Sequence, residues 1–266
     1  MQTDLMRIAL ATEPGRPEGP NEDWASTAVP ASGLGGVLVV LDGVTPPLGD
    51  DGCVHSVPWF TARLGGSLVE LSASRPELTL TEVLAASIRR TADAHRSSCD
   101  LSHARTPQAT VVLARWDARR VEHLVLSDSA LLLEAPDGTV RPVLDDRLDR
   151  LPPGTLASEA VADARARNKE GGFFTAAADP GVASRAVTGE TPLAEVRSLN
   201  ALTDGASRWT ETFGAGDWAD LPGLVREEGP QGLIGRVREL ERADTDRVFL
   251  RRGKRHDDAT AVLVEL

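Results

Sequence analysis

Three aspartates share a setting in which carboxylates can do chemistry. Asp42 closes the apolar run 36–41 and is followed by Gly43, Asp204 closes the run 196–203 and is followed by Gly205, and Asp257 stands just before the apolar run 260–266. Short Val- and Leu-rich runs halted by Asp-Gly read as buried strands entering tight turns. Antiparallel strands can bring such ends to one rim. Three carboxylates converging there would repel one another unless a divalent cation compensated them, and an all-oxygen set selects hard ions such as Mg²⁺ or Mn²⁺ over zinc. Glycine after the aspartate lets the backbone turn and leaves a carbonyl free as a further oxygen ligand. Asp-Gly is also a common turn, so spacing alone leaves both readings open.

The elements that must position these groups are legible in outline. Phe60, Leu64, Leu68 and Leu71 recur at helical spacing behind Pro58, with Gly65-Gly66 permitting close packing. Thr79 and Glu82 form a capping-box pair ahead of Leu84, Ile88, Ala92 and His95 on one stripe, where His95 reads as a core-edge histidine. From Thr110 the pattern changes to the runs 110–115, 121–126, 130–134 and 140–144, read as an antiparallel meander. Residues 151–192 are rich in Ala, Gly, Pro and charge, and read as a flap inserted over the sheet, mobile around 165–183. A helical region carrying Leu224, Leu233, Val237 and Leu240 precedes the last strand. No repeat or linker divides the chain, so residues 1–266 read as one domain.

With 266 residues, 41% of them hydrophobic, the chain can bury a substantial core. A formal net charge of -11 argues against a nucleic-acid partner, whose phosphates demand clustered positive charge. No leader-like start and no run long enough for a bilayer are present, so a cytoplasmic protein with no membrane role is expected. Cys53 and Cys99 form neither a CxxC pair nor a disulfide framework and read as reduced structural thiols; the spacing gives no support to zinc.

Five short blocks then fall in order along nearly the whole chain: Asn21-Glu22-Asp23, Leu41-Asp42-Gly43, Ser127-Asp128-Ser129, Thr203-Asp204-Gly205 and Asp257-Asp258-Ala259-Thr260. Their order and content resemble the motifs of PP2C-type (PPM) metal-dependent protein phosphatases, in a divergent bacterial form. The resemblance implies an α/β (α+β) fold, a four-layer αββα sandwich of two antiparallel sheets flanked by helices. It further implies two Mg²⁺ or Mn²⁺ ions, with Asp42 bridging them, the Gly43 carbonyl on one, and Asp204 and Asp257 completing the other site. Glu22 and Asp23 would hold metal-bound waters. The implied activity is hydrolysis of phosphoserine or phosphothreonine on a protein substrate by water activated between the ions.

This chain departs from that pattern at informative places. Glu18 stands where family members carry a phosphate-gripping arginine, and Arg16 lies further upstream. Ser127 replaces the glycine before Asp-Ser, and Gln108-Ala109-Thr110 stands for Gly-Thr-Thr. Val44-Thr45-Pro46-Pro47 replaces Met-Gly-Gly-His, His55 lies too far downstream to inherit that histidine's role, and Asp100 is a loose match to a third-metal carboxylate. The run Arg251-Arg252-Gly253-Lys254-Arg255-His256 leads into Asp257. It reads either as a solvated turn or as the substitute phosphate grip, with Arg252 and Arg255 joining Arg16 as candidate phosphate-binding residues. A weakly active pseudophosphatase that binds a phosphoprotein, or a hydrolase of small phosphoesters, are the competing functions. Oligomeric state is not legible.

Overall fold

The computed structural model describes residues 6–46, 49, 51–156, 158–250 and 254–266. Its first buried strand, β3 (Gly36–Leu41), explains why the run is apolar throughout. Val37, Val39 and Leu41 pack beneath helices, while Leu38 and Val40 pack against a second sheet. A strand buried on both faces cannot alternate with polar residues.

One sheet has the order β2 (Trp24–Ala28), β3, β4 (Val111–Trp116), β5 (Arg120–Leu126), β8 (Val187–Pro192). The other has the order β1 (Arg7–Glu13), β10 (Ala259–Glu265), β9 (Ser198–Leu202), β6 (Ala130–Glu134), β7 (Val140–Val143). All neighbouring strands are antiparallel. Helices α1 (Val57–Ser74) and α2 (Leu80–His95) cover the first sheet; α4 (Asp204–Glu211) and α5 (Leu221–Ala243) cover the second. The result is the αββα sandwich, with three apolar layers between its four tiers.

Local chemistry sets the helix starts. Ser56 accepts from the Trp59 N–H at the head of α1, and Thr79 and Glu82 make the reciprocal capping box at the head of α2. Of the glycine pair in α1, Gly65 faces Trp24, whose ring lies 2.2 Å from where a Cβ would stand, whereas Gly66 faces open space.

Two expectations change. The meander is not one sheet: β4 pairs with β5 and β6 with β7, but the two hairpins belong to opposite sheets. The chain crosses between them at Ser127-Asp128-Ser129, with Ser127 at φ 70. Sequence periodicity shows a strand's faces but not its neighbours, so it could not reveal the switch. The expected insertion at 151–192 is also narrower at its C-terminal end. Residues Val187–Pro192 form β8 on the edge of the first sheet, and Val182 and Ala183 join the core beneath α2. Phe174 and Ala176 also join that core, while Leu156, Ser158, Ala162, Arg167, Phe173 and Thr175, around the short helix α3 (Glu159–Arg165), line the aspartate cavity.

Candidate metal centre

Asp42, Asp204 and Asp257 line one cavity of about 280 Å³, together with Asp128, Thr45, Arg167 and Lys254. Asp42 leaves the end of β3 on one sheet; Asp204 and Asp257 leave the ends of β9 and β10 on the other. Asp128 comes from the crossover between the sheets.

The glycines act by close approach. A Cβ on Gly43 would stand 2.4 Å from Val57 and 2.5 Å from the Glu22 carbonyl oxygen, and one on Gly205 would stand 2.0 Å from the Asp258 carbonyl oxygen. Gly43 pairs with Ala109 through bonds made by its neighbours, from Val44 N–H to Gln108 O and from Thr110 N–H to Asp42 O. In that register the Gly43 carbonyl points out of the ladder, as a ligand oxygen must.

The electrostatics are those of a cluster short of positive charge. Burial raises the Asp42 carboxyl well above its ordinary range, and Asp204, Asp23, Asp128 and Asp257 push it further. Burial likewise raises Asp204, with Asp257 and Asp128 adding to it and Arg208 opposing them. Asp128 is open to solvent at the cavity mouth, yet the protein around it raises its carboxyl too. Asp23 lies deeper, one oxygen accepting from the hydroxyls of Thr203 at 2.9 Å and Thr260 at 2.7 Å, and burial lifts it to about 7. Its Oδ1 is buried with no protein partner among the described residues. Crowded, half-buried carboxylates and an orphaned buried oxygen beside them are what a hydrated hard cation would satisfy, so this donor set fits Mg²⁺ or Mn²⁺.

The neighbouring residues divide their tasks. Asp258 accepts from Gly15 N–H and Glu22 N–H, both at 2.7 Å, and so clamps the 15–22 loop onto the head of β10. Glu22 accepts a hydrogen bond from Thr45, and burial raises its carboxyl. Asp257 is held by cations: Arg208 Nη2 donates to its Oδ2 at 3.0 Å and Lys254 Nζ to its Oδ1 at 2.7 Å. Arg208 in turn donates to Glu241 at 2.6 Å; Glu241 also accepts from Arg238 at 2.8 Å and contacts His256 at 2.6 Å. Burial works against the charge on Lys254, but Asp257, Glu22 and Asp42 outweigh it and hold the ammonium above its usual range.

Of the candidate phosphate-binding residues, Arg16 and Arg255 do not line the cavity, and Arg252 lies outside the described residues. The basic run instead sends Lys254 into the site, because that side chain faces Asp257 and Thr45. Asp100 is spent on a local turn, accepting from Ser102 N–H at 2.9 Å, and does not line the cavity. Sequence reasoning passed over Asp128 as a cavity carboxylate, although the Ser-Asp-Ser block contained it. It also missed Arg208, which lies one helical turn after Asp204 and so shares its face of α4.

This architecture is the fold of PP2C-type serine/threonine phosphatases. Three solved structures match over 98% of this chain. They are the serine/threonine phosphatase Stp1 from Staphylococcus aureus (12% identity, TM-score 0.59, 95% of that chain), a serine-threonine phosphatase 2C from Toxoplasma gondii (14%, 0.60, 94%), and the catalytic domain of the phosphatase PstP in complex with two manganese ions (18%, 0.58, 97%). No protein-family model and no curated protein matches the sequence. The likeness is therefore one of fold.

Proposed function

We propose that this protein is a metal-dependent phosphoprotein phosphatase that hydrolyses phosphoserine or phosphothreonine. The observation that carries the reading is the convergence of Asp42, Asp128, Asp204 and Asp257 on one cavity at the rim between two sheets. Two divalent ions held there would supply an acidified water and neutralise charge on the phosphoryl oxygens, and the similar PstP catalytic domain was solved in complex with two manganese ions. Asp42, the Gly43 carbonyl, Asp204 and Asp257, which share the cavity lining, would hold the ions, with Asp42 the candidate shared ligand because Asp204 and Asp128 both act on its charge. Asp23 and Glu22 would orient water. Lys254 and Arg167, the cations lining the cavity among the described residues, hold the substrate phosphate. The water oxygen bonds to phosphorus and gives up a proton, the bond from phosphorus to the side-chain oxygen breaks, and that oxygen takes up the proton released by the water to leave as a free hydroxyl.

One observation favours a second reading. Both oxygens of Asp257 are engaged by cationic side chains. A protein with its ligand carboxylate so occupied could bind phosphoproteins with little turnover. Assay of the purified protein with Mn²⁺ on p-nitrophenyl phosphate, a phosphothreonine peptide and small phosphate esters separates the readings. Metal-dependent turnover of the peptide supports the phosphatase, and peptide binding without turnover supports the pseudophosphatase. Preference for small esters would replace both. No helix among the described residues is long and apolar enough to cross a membrane.

A further inference from the structure

Away from the aspartates, the chain assembles a different kind of donor set. Cys53, His95 and Cys99 bring two sulfurs and a ring nitrogen within 4.8 Å of one another. Cys53 Sγ lies 2.8 Å from Cys99 Sγ and 3.5 Å from His95 Nδ1. His95 is the last residue of α2 and is almost wholly buried, at 1% exposure. Its carbonyl accepts from Cys99 N–H at 3.0 Å, so the chain curls at the helix end and brings both side chains to one side. The loop carrying Cys53 is fastened opposite. Asp100 N–H donates to Gly52 O at 2.7 Å, Cys53 N–H to Asp51 at 2.9 Å, and Trp59 stacks on His55 at 4.0 Å while tilting against His95 at 5.2 Å.

We propose that Cys53, His95 and Cys99 form a structural Zn²⁺ site, separate from the carboxylate centre and of opposite chemical character. Two thiolates and an imidazole are soft and borderline donors that select zinc over Mg²⁺ or Mn²⁺. Among the described residues, the buried His95 Nδ1 meets a thiol sulfur, a poor hydrogen-bond partner but a good fellow ligand. With Zn–S bonds of about 2.3 Å, tetrahedral sulfurs stand about 3.7 Å apart, so the pair must open by roughly an ångström. Both cysteines lie in loops outside the helices, where such a shift is tolerated. The fourth corner takes water or His55, whose ring centroid is 6.0 Å from that of His95. The cysteines are 46 residues apart, which is why no linear spacing announces the site.

The fold gives this site a purpose. The segment from Gly43 to Ser56 joins the aspartate rim to α1, and its start is bonded to the 99–108 segment through Val44 N–H and Gln108 O at 2.9 Å. A cation at Cys53 and Cys99 fastens the far end of the same two segments. The loop leaving the Gly43 ligand is then tied at both ends.

Cobalt(II) tests this directly, because thiolate-bound Co²⁺ absorbs strongly in the near ultraviolet and carboxylate-bound Co²⁺ does not. In reduced, metal-stripped protein, one equivalent of Co²⁺ should produce that band and Zn²⁺ should bleach it. Cys53→Ser and Cys99→Ser should each abolish it, Asp42→Asn should retain it, and His95→Asn should weaken Zn²⁺ binding more than tenfold. Circular dichroism of each variant separates a lost ligand from a lost fold, and the wild-type titration needs no variant. Absence of the band while both thiols react as free, a band removed by Asp42→Asn but not by Cys53→Ser, or a disulfide that persists under reductant with Zn²⁺ would each overturn the site.

Discussion

Lys254 Nζ donates to Asp257 Oδ1 at 2.7 Å, so an ammonium group sits against one of the carboxylates that line the aspartate cavity. The same nitrogen donates to Thr45, which donates on to Glu22. On the proposed reading, this lysine would take over the phosphate grip of the arginine that the sequence lacks near Glu18.

Replacing Lys254 with alanine should raise KM for a phosphothreonine peptide about tenfold, the worth of one charge-assisted hydrogen bond, with a smaller effect at high salt. Mn²⁺ affinity should hold or tighten, since Asp257 loses a competitor. Steady-state kinetics paired with calorimetry read both quantities. A weaker metal site with unchanged KM would assign Lys254 to scaffolding.

Asp42→Asn should weaken Mn²⁺ binding at least tenfold, or about 1.4 kcal/mol. In chelator the same variant should be more stable than the parent, by about 1–2 kcal/mol, because burial and the surrounding carboxylates disfavour the charge that it removes. Urea titrations with and without metal give the two signs. A variant weakened in both conditions would mean that Asp42 serves packing.

Ser127 holds φ 70, a left-handed conformation that costs an L-residue about 1–2 kcal/mol and glycine almost nothing. Its N–H is fixed by Asp145 at 3.0 Å. Ser127→Gly should stabilise the protein by about 0.5–1 kcal/mol after the added freedom of the unfolded chain is counted. Thermal unfolding measures it, and a loss of stability would mean that the bond from Ser127 Oγ to Asp128 outweighs the strain.

His123 is buried opposite Gly189 on β8, its Nδ1 unpartnered among the described residues. Burial, helped by Arg141, lowers its pKa to about 4. The unfolded chain takes up a proton near pH 6.5 and the native one does not until about pH 4, so this stability is full above pH 6.5 and is lost as pH falls between those values. His123→Leu should remove about 2 kcal/mol of the acid sensitivity between pH 7 and 4.5. Urea midpoints across that range that shift equally in both proteins would contradict the assignment.

The four layers and the aspartate rim were legible because each depends on a local pattern: apolar runs ended by Asp-Gly, a capping box, and five motifs in order. What stayed hidden depends on pairings between distant segments. The switch of sheets at Ser127 changes no periodicity, Lys254 is marked out only by the contacts its side chain makes with Asp257 and Thr45, and Cys53 meets His95 only once α2 has packed. Arg208 was within reach, one turn from Asp204, but a helical arginine signals nothing until its partner Asp257 arrives from another strand.

Asp42 belongs to one sheet, and Asp204 and Asp257 to the other. A cation gripped among them, as proposed, would be a strut across the seam of the sandwich. Sliding one sheet past the other would strain that grip, and by reciprocity binding the ion would stiffen the seam. Trimming a side chain such as Val40 or Val262, in the apolar layer between the sheets, should therefore loosen the grip on the ion from within the core.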